Sequence, residues 1–425
     1  MVAGFALFAI IFGACNLIFP PDLGVEAGTQ WFASFLGFFI MDVVLAVLGV
    51  FAMVNKEGSL DRFGEKLGKK INTAFIFVVV MCIGPLVSIP RTGAVTYSMG
   101  IKPVFRLFGD YPLAQLLFTI VFFAIVLAFS IKPGKVIDLI GKYMTPILLI
   151  CLLFTIIAGV VTAVEAPGSA MIDNPIKEGI VNGYQTMDAM GAIIFAGIVI
   201  KAAVERHPGD KKAAAKETYG AGLIAAGILF IVYLGLTYLG TVWGKPFGQS
   251  LLGGDIDQAG LIDLVVGQIL GWAGVYLIAI ITFFACLTTA VGLATASAEL
   301  LNVIFKKKIS YKALVIIICV VSCLIANIGL SQIMAIANPI LSLLYPVVIT
   351  MIALGLMSVE GRYTYRIGVG VAFAISLMKL LCDTLGLGAF AFVHKLPLDV
   401  FDLSFVVPTV IAVLIGLLLD RKLGK

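Results

Sequence analysis

The sequence predicts an all-α polytopic membrane protein with about twelve transmembrane helices. Three observations predict it. Of 425 residues, 61% are hydrophobic and only 12% are charged, with a mean hydropathy of +1.12, whereas a soluble domain of this length carries roughly a quarter of its residues charged. The apolar residues fall into runs of about twenty, the length an α-helix needs to cross a hydrocarbon core. Runs such as 114–130 and 309–326 do not alternate apolar with polar positions, which the strands of a membrane barrel would do.

In chain order the expected spans are 3–24, 31–54, 72–99, 112–130, 141–163, 178–203, 215–242, 261–304, 311–327, 334–357, 365–386 and 404–420. The first is a retained span and not a signal peptide. It lacks a basic leader, and it ends in Phe19-Pro20-Pro21 where a cleavage site would need small residues. Because the chain begins inside this helix, a short charged leader is expected ahead of it. The third and eighth spans are too long for straight crossings, so each is expected to run past the membrane or to contain a tilted segment. Seven cysteines, at 15, 82, 151, 286, 319, 323 and 382, lie mostly within apolar runs without metal-ligand spacing and read as small packing residues.

Basic residues test this division independently. Alternate loops carry Lys56, Arg62, Lys66, Lys69 and Lys70, then Lys132, Lys135 and Lys142, then Lys201, Arg206, Lys211, Lys212 and Lys216. The same side receives Lys306, Lys307, Lys308, Lys312, Arg362, Arg366, Arg421, Lys422 and Lys425, against only Lys102, Arg106, Lys177, Lys245 and Lys395 opposite. The positive-inside rule then places both termini in the cytoplasm. A wrong number of spans would scramble the alternation. The net charge of +5 follows from the same rule and implies no nucleic-acid partner.

Two spans are interrupted where a helix should be continuous. The first contains Gly13-Ala14-Cys15-Asn16, and the sixth contains Gly183-Tyr184-Gln185-Thr186-Met187-Asp188-Ala189-Met190-Gly191. These spans are five apart and so cross in opposite senses, as an inverted repeat of five helices plus five requires. Paired interruptions at corresponding places point to a binding site. The repeats are expected over 1–163 and 178–357, with helices 11 and 12 and the C-terminus over 365–425. Glycines in membrane helices often serve only close packing. Asn16 and Asp188, however, are costly in the bilayer unless they face a polar cavity, and unwound backbone needs the same setting.

The interrupted first span, through Leu17-Ile18-Phe19-Pro20-Pro21, resembles the opening helix of the bacterial branched-chain amino acid:cation symporters. Gly84-Pro85-Leu86-Val87-Ser88-Ile89-Pro90-Arg91-Thr92, Gly141-Lys142-Tyr143-Met144-Thr145-Pro146 and Gly183-Tyr184-Gln185-Thr186-Met187-Asp188-Ala189 are similar to that family too. Cys15 departs from it, standing where the family often has Gly. The resemblance implies the five-plus-five inverted-repeat fold of bacterial amino-acid and neurotransmitter symporters. It also implies import of leucine, isoleucine and valine with Na+ or H+ across a bacterial cell membrane. The substrate site would draw on Gly13, Ala14, Cys15, Asn16, Ser88, Tyr184, Gln185, Thr186, Met187 and Asp188. Free N–H groups near Asn16 would take the carboxylate, and carbonyls from Tyr184 to Thr186 the ammonium. Ala285-Cys286-Leu287-Thr288-Thr289 looks like the sodium-binding segment of that fold. This implies ligation by the Thr288 and Thr289 hydroxyls and by the carbonyls of Ala285, Ala9 and Phe12. Oxygen ligands suit a hard cation, although membrane threonines also bond back to their own helix.

Arg91 and Lys379 are the basic residues placed within spans. Arg91 reads as a pathway or gate residue, or as one half of an ion pair between helices. Lys379 has Asp383 one turn later, which suggests a local pair. Asp42 and Glu299 receive no role. Asp188 could contact an amine, couple a proton or cap a half-helix. His207 and His394 both fall in loops, which argues against a haem bundle, and neither a zinc motif nor a Walker motif occurs. No cofactor is expected beyond the coupling ion. A cation-coupled carrier of another small amino acid or apolar zwitterion is the nearest alternative. A membrane-embedded lipid-linked transferase would need carboxylates clustered at one face, and the only close acidic pair, Asp255 and Asp257, is in an external loop. A channel suits an interrupted midplane site less well than a carrier does.

Overall fold

A computed structural model describes residues 2–106, 113–132, 140–163, 166–254, 256 and 258–423. Lys135, Lys425 and the Asp255/Asp257 pair lie outside them. Each of the twelve expected spans coincides with a helix or a pair of helices. They are α1a (Val2–Ile11) and α1b (Ala14–Ala27), α2 (Trp31–Phe39, a π turn at Ile40–Val44, then Leu45–Val54), α3 (from Lys69–Met81 to Ser88–Val95 and beyond) and α4 (Ala114–Ser130). Then come α5 (Thr145–Val161), α6a (Pro175–Gln185), α6b (Asp188–Arg206), α7 (Lys211–Trp243), α8 (Trp272–Ile304), α9 (Tyr311–Ala326), α10 (Leu330–Leu356), α11 (Arg362–Leu385) and α12 (Val406–Leu423).

By length and apolar composition alone, seven continuous helical runs among the described residues can cross a membrane, or eight with the bent α6 pair. One of them, Ala14–Val54, holds the second half of the first expected span and all of the second. The chain turns between those two at Gly28, whose φ of +48° suits glycine, and a Cβ there would lie 2.4 Å from the Gly168 carbonyl oxygen. The helices α1a, α4 and α9 are shorter, so twelve crossings remain the expectation from the basic-residue pattern.

The two overlong spans resolve differently. In α3 the helix runs from Lys69 to Val104 but bends at Gly84-Pro85, where Gly84 leaves helical geometry and Pro85 cannot donate. The eighth span is not one helix. It divides at Gly271, whose φ is +57°, into Gln258–Leu270 and α8.

Packing sorts the helices into two groups. One comprises α1, α2, α6 and α7, and the other α3, α4, α8 and α9, with α8 also touching α1a and α6b. The first group owes its close approach to missing side chains. A Cβ on Gly24 would lie 2.0 Å from the Thr237 carbonyl oxygen, and one on Gly240 would lie 2.0 Å from that of Pro21. Outward-facing Ile150, Ile157 and Leu117 are exposed, as a lipid-facing belt requires. At the periphery α11 packs on α10 and α12, and Asp420 of α12 accepts hydrogen bonds from the backbone N–H groups of Tyr363 and Thr364 that open α11.

The expected Lys379–Asp383 pair does not form. Lys379 reaches Asp399 at 2.9 Å and also pairs with Asp402, while Asp383 meets His394 at 3.0 Å. The segment after α11 folds back over its end and brings acids better placed than one a turn along the same helix.

Candidate functional site

Both interrupted spans break near their middles, and the breaks meet. In the first, the helix lapses at Phe12-Gly13 and restarts at Ala14, with the Gly13 N–H donating to Asn16 Oδ1 at 3.1 Å. Asn16 thus caps the half-helix it belongs to, from its third position. In the sixth, α6a and α6b bend by 42° about Thr186-Met187. Met187 holds a left-handed φ of +69°, a costly conformation for a side chain of its size. The N-termini of α1b and α6b, each a positive dipole end, therefore border one space.

That space is a cavity of about 20 Å³, lined by apolar Ile10, Ile83, Met187, Phe195 and Leu293 and by polar Asn16, Ser88, Arg91, Thr186 and Asp188. It holds about one water-sized sphere, so a branched side chain enters only as the lining moves. Of the expected substrate residues, Gly13, Ala14, Asn16, Ser88, Thr186, Met187 and Asp188 line it. Cys15 and Gln185 instead line a larger cavity of about 640 Å³ between α1b, α6a, α10 and the segment after α7. Tyr184 lines a third, between α6a, α10 and α11, and lies against Tyr345 with ring centroids 4.9 Å apart and planes inclined at 48°. The large cavity lies on the face poor in Lys and Arg, and Glu26 and Glu178 stand in its wall.

Arg91 is buried and pairs with no carboxylate among the described residues. Its Nη1 donates to the Gln185 carbonyl at 2.9 Å and its Nη2 to the Thr186 carbonyl at 3.0 Å. A cation at the carbonyl end of α6a answers the negative pole of that half-helix. Two of the carbonyls expected to receive a substrate ammonium are thus held by Arg91 in this conformation. Ser88 makes its contact with Met187 Sδ, at 3.1 Å.

Asn16 is the hub of a buried polar cluster. Its Nδ2 donates to Asp188 Oδ2 at 2.6 Å, to Asp42 Oδ2 at 3.3 Å and to the Tyr233 hydroxyl. Asp42 and Tyr233 were not among the sequence candidates. Tyr233 gave no signal, being an aromatic in an apolar helix. Asp42 did, as an acid in the middle of Ile40-Met41-Asp42-Val43-Val44, where burial in a membrane demands a partner.

The five oxygens expected to bind sodium form two sets, one about each of the adjacent threonine hydroxyls. Thr288 Oγ1 donates to the carbonyls of Ala9 at 2.8 Å and Ala285 at 2.9 Å, and Thr289 Oγ1 to those of Ile10 at 3.1 Å and Phe12 at 3.3 Å. Three of these four carbonyls belong to α1a and its frayed end, so back-bonding within α8 explains only the Ala285 contact. The donor set is all oxygen and free of formal charge, which fits a hard monovalent cation. The carbonyls are available because the helix ends there.

With the geometry in view, comparison with known proteins identifies the chain. The profile of a family described as branched-chain amino acid transport protein matches residues 1–423. The chain belongs to that family. It is 35% identical to the branched-chain amino acid transport system 2 carrier protein of Pseudomonas aeruginosa, covering 100% of this chain and 97% of the relative. It is 34% identical to the branched-chain amino acid permease BrnQ of Escherichia coli K12, covering 99% and 95%. Among solved structures it is similar to Mhp1, a nucleobase–cation symport-1 family transporter, in a closed conformation with bromovinylhydantoin bound. That likeness has a TM-score of 0.60 at 13% identity and covers 99% of this chain and 91% of the other. It is a likeness of fold, and the fold is the five-plus-five inverted repeat. Members of the family are named as carriers and permeases, so the chain stands among membrane transporters, not enzymes, and the transferase alternative falls.

Proposed function

We propose that the chain imports leucine, isoleucine and valine across the bacterial cell membrane in symport with a cation, sodium bound at Thr288 and Thr289. The observation that carries this reading is the meeting of two broken helices around one small cavity whose lining is half apolar and half polar. The N-termini at Ala14 and Asp188 take the substrate carboxylate. The carbonyls of Gln185 and Thr186 take the ammonium once Arg91 turns away from them. Ile10, Ile83, Phe195 and Leu293 hold the branched tail. A methylene is worth only about 1–3 kcal/mol in such a pocket, so all three substrates are accepted. The cation organises the same place, because its ligands from the first span, the carbonyls of Ala9 and Phe12, lie just before the break and at it.

The fold implies that α1, α2, α6 and α7 rock against α3, α4, α8 and α9, opening the cavity to each side in turn. The basic-residue pattern puts both termini in the cytoplasm, which makes the 640 Å³ cavity the outward-facing one. One positive charge entering across about 100 mV supplies about 2.3 kcal/mol, roughly fifty-fold accumulation before any ion gradient is counted. Competition against radiolabelled leucine on the purified full-length protein tests the cargo. Isoleucine and valine should displace it within about tenfold of leucine itself, and lysine and glutamate should not. Equal displacement by glycine or alanine would move the cargo to another small zwitterion.

A further inference from the structure

Asp42 of α2 and Asp188 of α6b meet across Asn16 of α1b, deep in the fold, and α2 and α6b belong to different repeats. The Asn16 amide nitrogen carries two hydrogens, yet three acceptors surround it: Asp188 Oδ2, Asp42 Oδ2 and the Tyr233 hydroxyl. The two hydrogens fill at most two of those contacts at once, and Asp42 Oδ1 is buried without a hydrogen-bond partner among the described residues. Both carboxyls place an oxygen on the same amide nitrogen, at 3.3 Å for Asp42 and 2.6 Å for Asp188, so the two are close neighbours. Like charges this close do not both ionise. The other titratable groups facing the pair are Arg91 from α3, Tyr233 from α7, Tyr345 from α10 and Cys15 from α1b. Arg91 is the one cation among them, and both its terminal nitrogens are committed to carbonyls.

We propose that the Asp42–Asp188 pair binds one proton, shared between the two carboxyls, and exchanges it in each transport cycle, so that uptake is coupled to a proton as well as to sodium. The proposal rests on the transport reading above. A metal cation does not suit the place, because an amide N–H₂ group stands between the two carboxylates. A proton from external water forms an O–H bond to one aspartate, and the other accepts the hydrogen bond. When the cavity opens inward, that O–H bond breaks and the proton passes to cytoplasmic water. The electrostatics set the direction. Singly protonated, the pair and Arg91 sum to no net charge. Doubly ionised, they leave one negative charge beside the N-termini that receive the substrate carboxylate. The protonated form therefore binds substrate, and affinity falls as pH rises.

The test uses the full-length protein in liposomes holding a pH-sensitive dye, with leucine added in sodium buffer. Leucine entry should acidify the interior. In detergent, the leucine Kd should weaken by up to about tenfold per pH unit above the titration of the pair, the slope for one linked proton. The dependence of binding heat on buffer should count about one proton taken up. In Asp42→Asn the pH dependence should flatten to less than about twofold over the same interval. Leucine uptake without acidification, together with a proton count of zero in the wild type, would overturn the proposal while leaving the transport reading intact. A count that stays at one in Asp42→Asn would overturn it too, by placing the proton elsewhere. No leucine uptake under any gradient would instead remove the transport reading itself.

Discussion

Each hydroxyl of the Thr288–Thr289 pair bridges two carbonyls, and for both residues at least one of those carbonyls belongs to the first helix and not to their own. Valine at 288 keeps the shape and deletes the oxygen, and the exchange is not a neutral one because the hydroxyl has work to lose. Thr288→Val should raise the sodium concentration for half-maximal leucine binding by about tenfold or more, an energy of about 1.4 kcal/mol. Titration of leucine binding with sodium reads it, and an unchanged midpoint would remove Thr288 from the ion site. At this scale the sequence was legible where a polar residue interrupts an apolar run. Asn16 and Asp188 announce themselves because charge and amide groups are expensive in lipid. Asp42 is just as costly, but its partners stand 26 and 146 positions away on other helices, and only the fold brings them together. Arg91 was legible as a buried cation and not as the holder of two carbonyls, because backbone acceptors leave no mark in side-chain chemistry.

Among the elements, the breaks in the first and sixth spans lie within the glycine-containing segments that flagged them. The exact unwound residues differ, because Asn16 turns back to Gly13 and restarts the helix earlier than its composition suggests. The division of the eighth span at Gly271 was not legible, since its flanks are equally apolar and only a positive φ separates them. The segment that follows α11 offers a test of an element held by charge. Its anchor is Lys379 with Asp399 and Asp402, with His394 on Asp399 at 3.2 Å. Burial would push the Asp399 carboxyl up, but Lys379 and His394 outweigh it and hold it below the usual carboxylate range. A depressed carboxyl contributes stability that is present above its unfolded value and is lost as pH falls through its folded value. Hydrogen exchange over 386–405 should therefore stay slow at neutral pH and quicken on strong acidification. Lys379→Met should quicken it already at neutral pH. Exchange rates indifferent to the substitution would show that the apolar packing of Val393 and Phe405 holds the segment unaided.

At the scale of the whole molecule, the alternation of basic loops predicts both the number of crossings and their sense, because a membrane potential and its lipids act on charge whatever the fold. The grouping of α1, α2, α6 and α7 apart from α3, α4, α8 and α9 is instead what the family resemblance implies through its fold, and the packing of the helices agrees with it. Close glycine contacts such as Gly24 with α7 bind the first group into a body able to move as one. What the folded chain adds is convergence: threonine and carbonyl oxygens, half-helix N-termini, an apolar lining and a buried carboxyl cluster gathered about one small cavity. The central claim is that this convergence lets a cation gradient drive branched-chain amino acids inward. Radiolabelled leucine uptake into liposomes containing the purified full-length protein tests it most directly, with the sodium gradient, the proton gradient and the potential imposed separately. An inward sodium gradient should accumulate leucine well above equilibrium, with a further increase when the interior is made negative by about 100 mV. Uptake that never exceeds equilibrium under any of the three would contradict it.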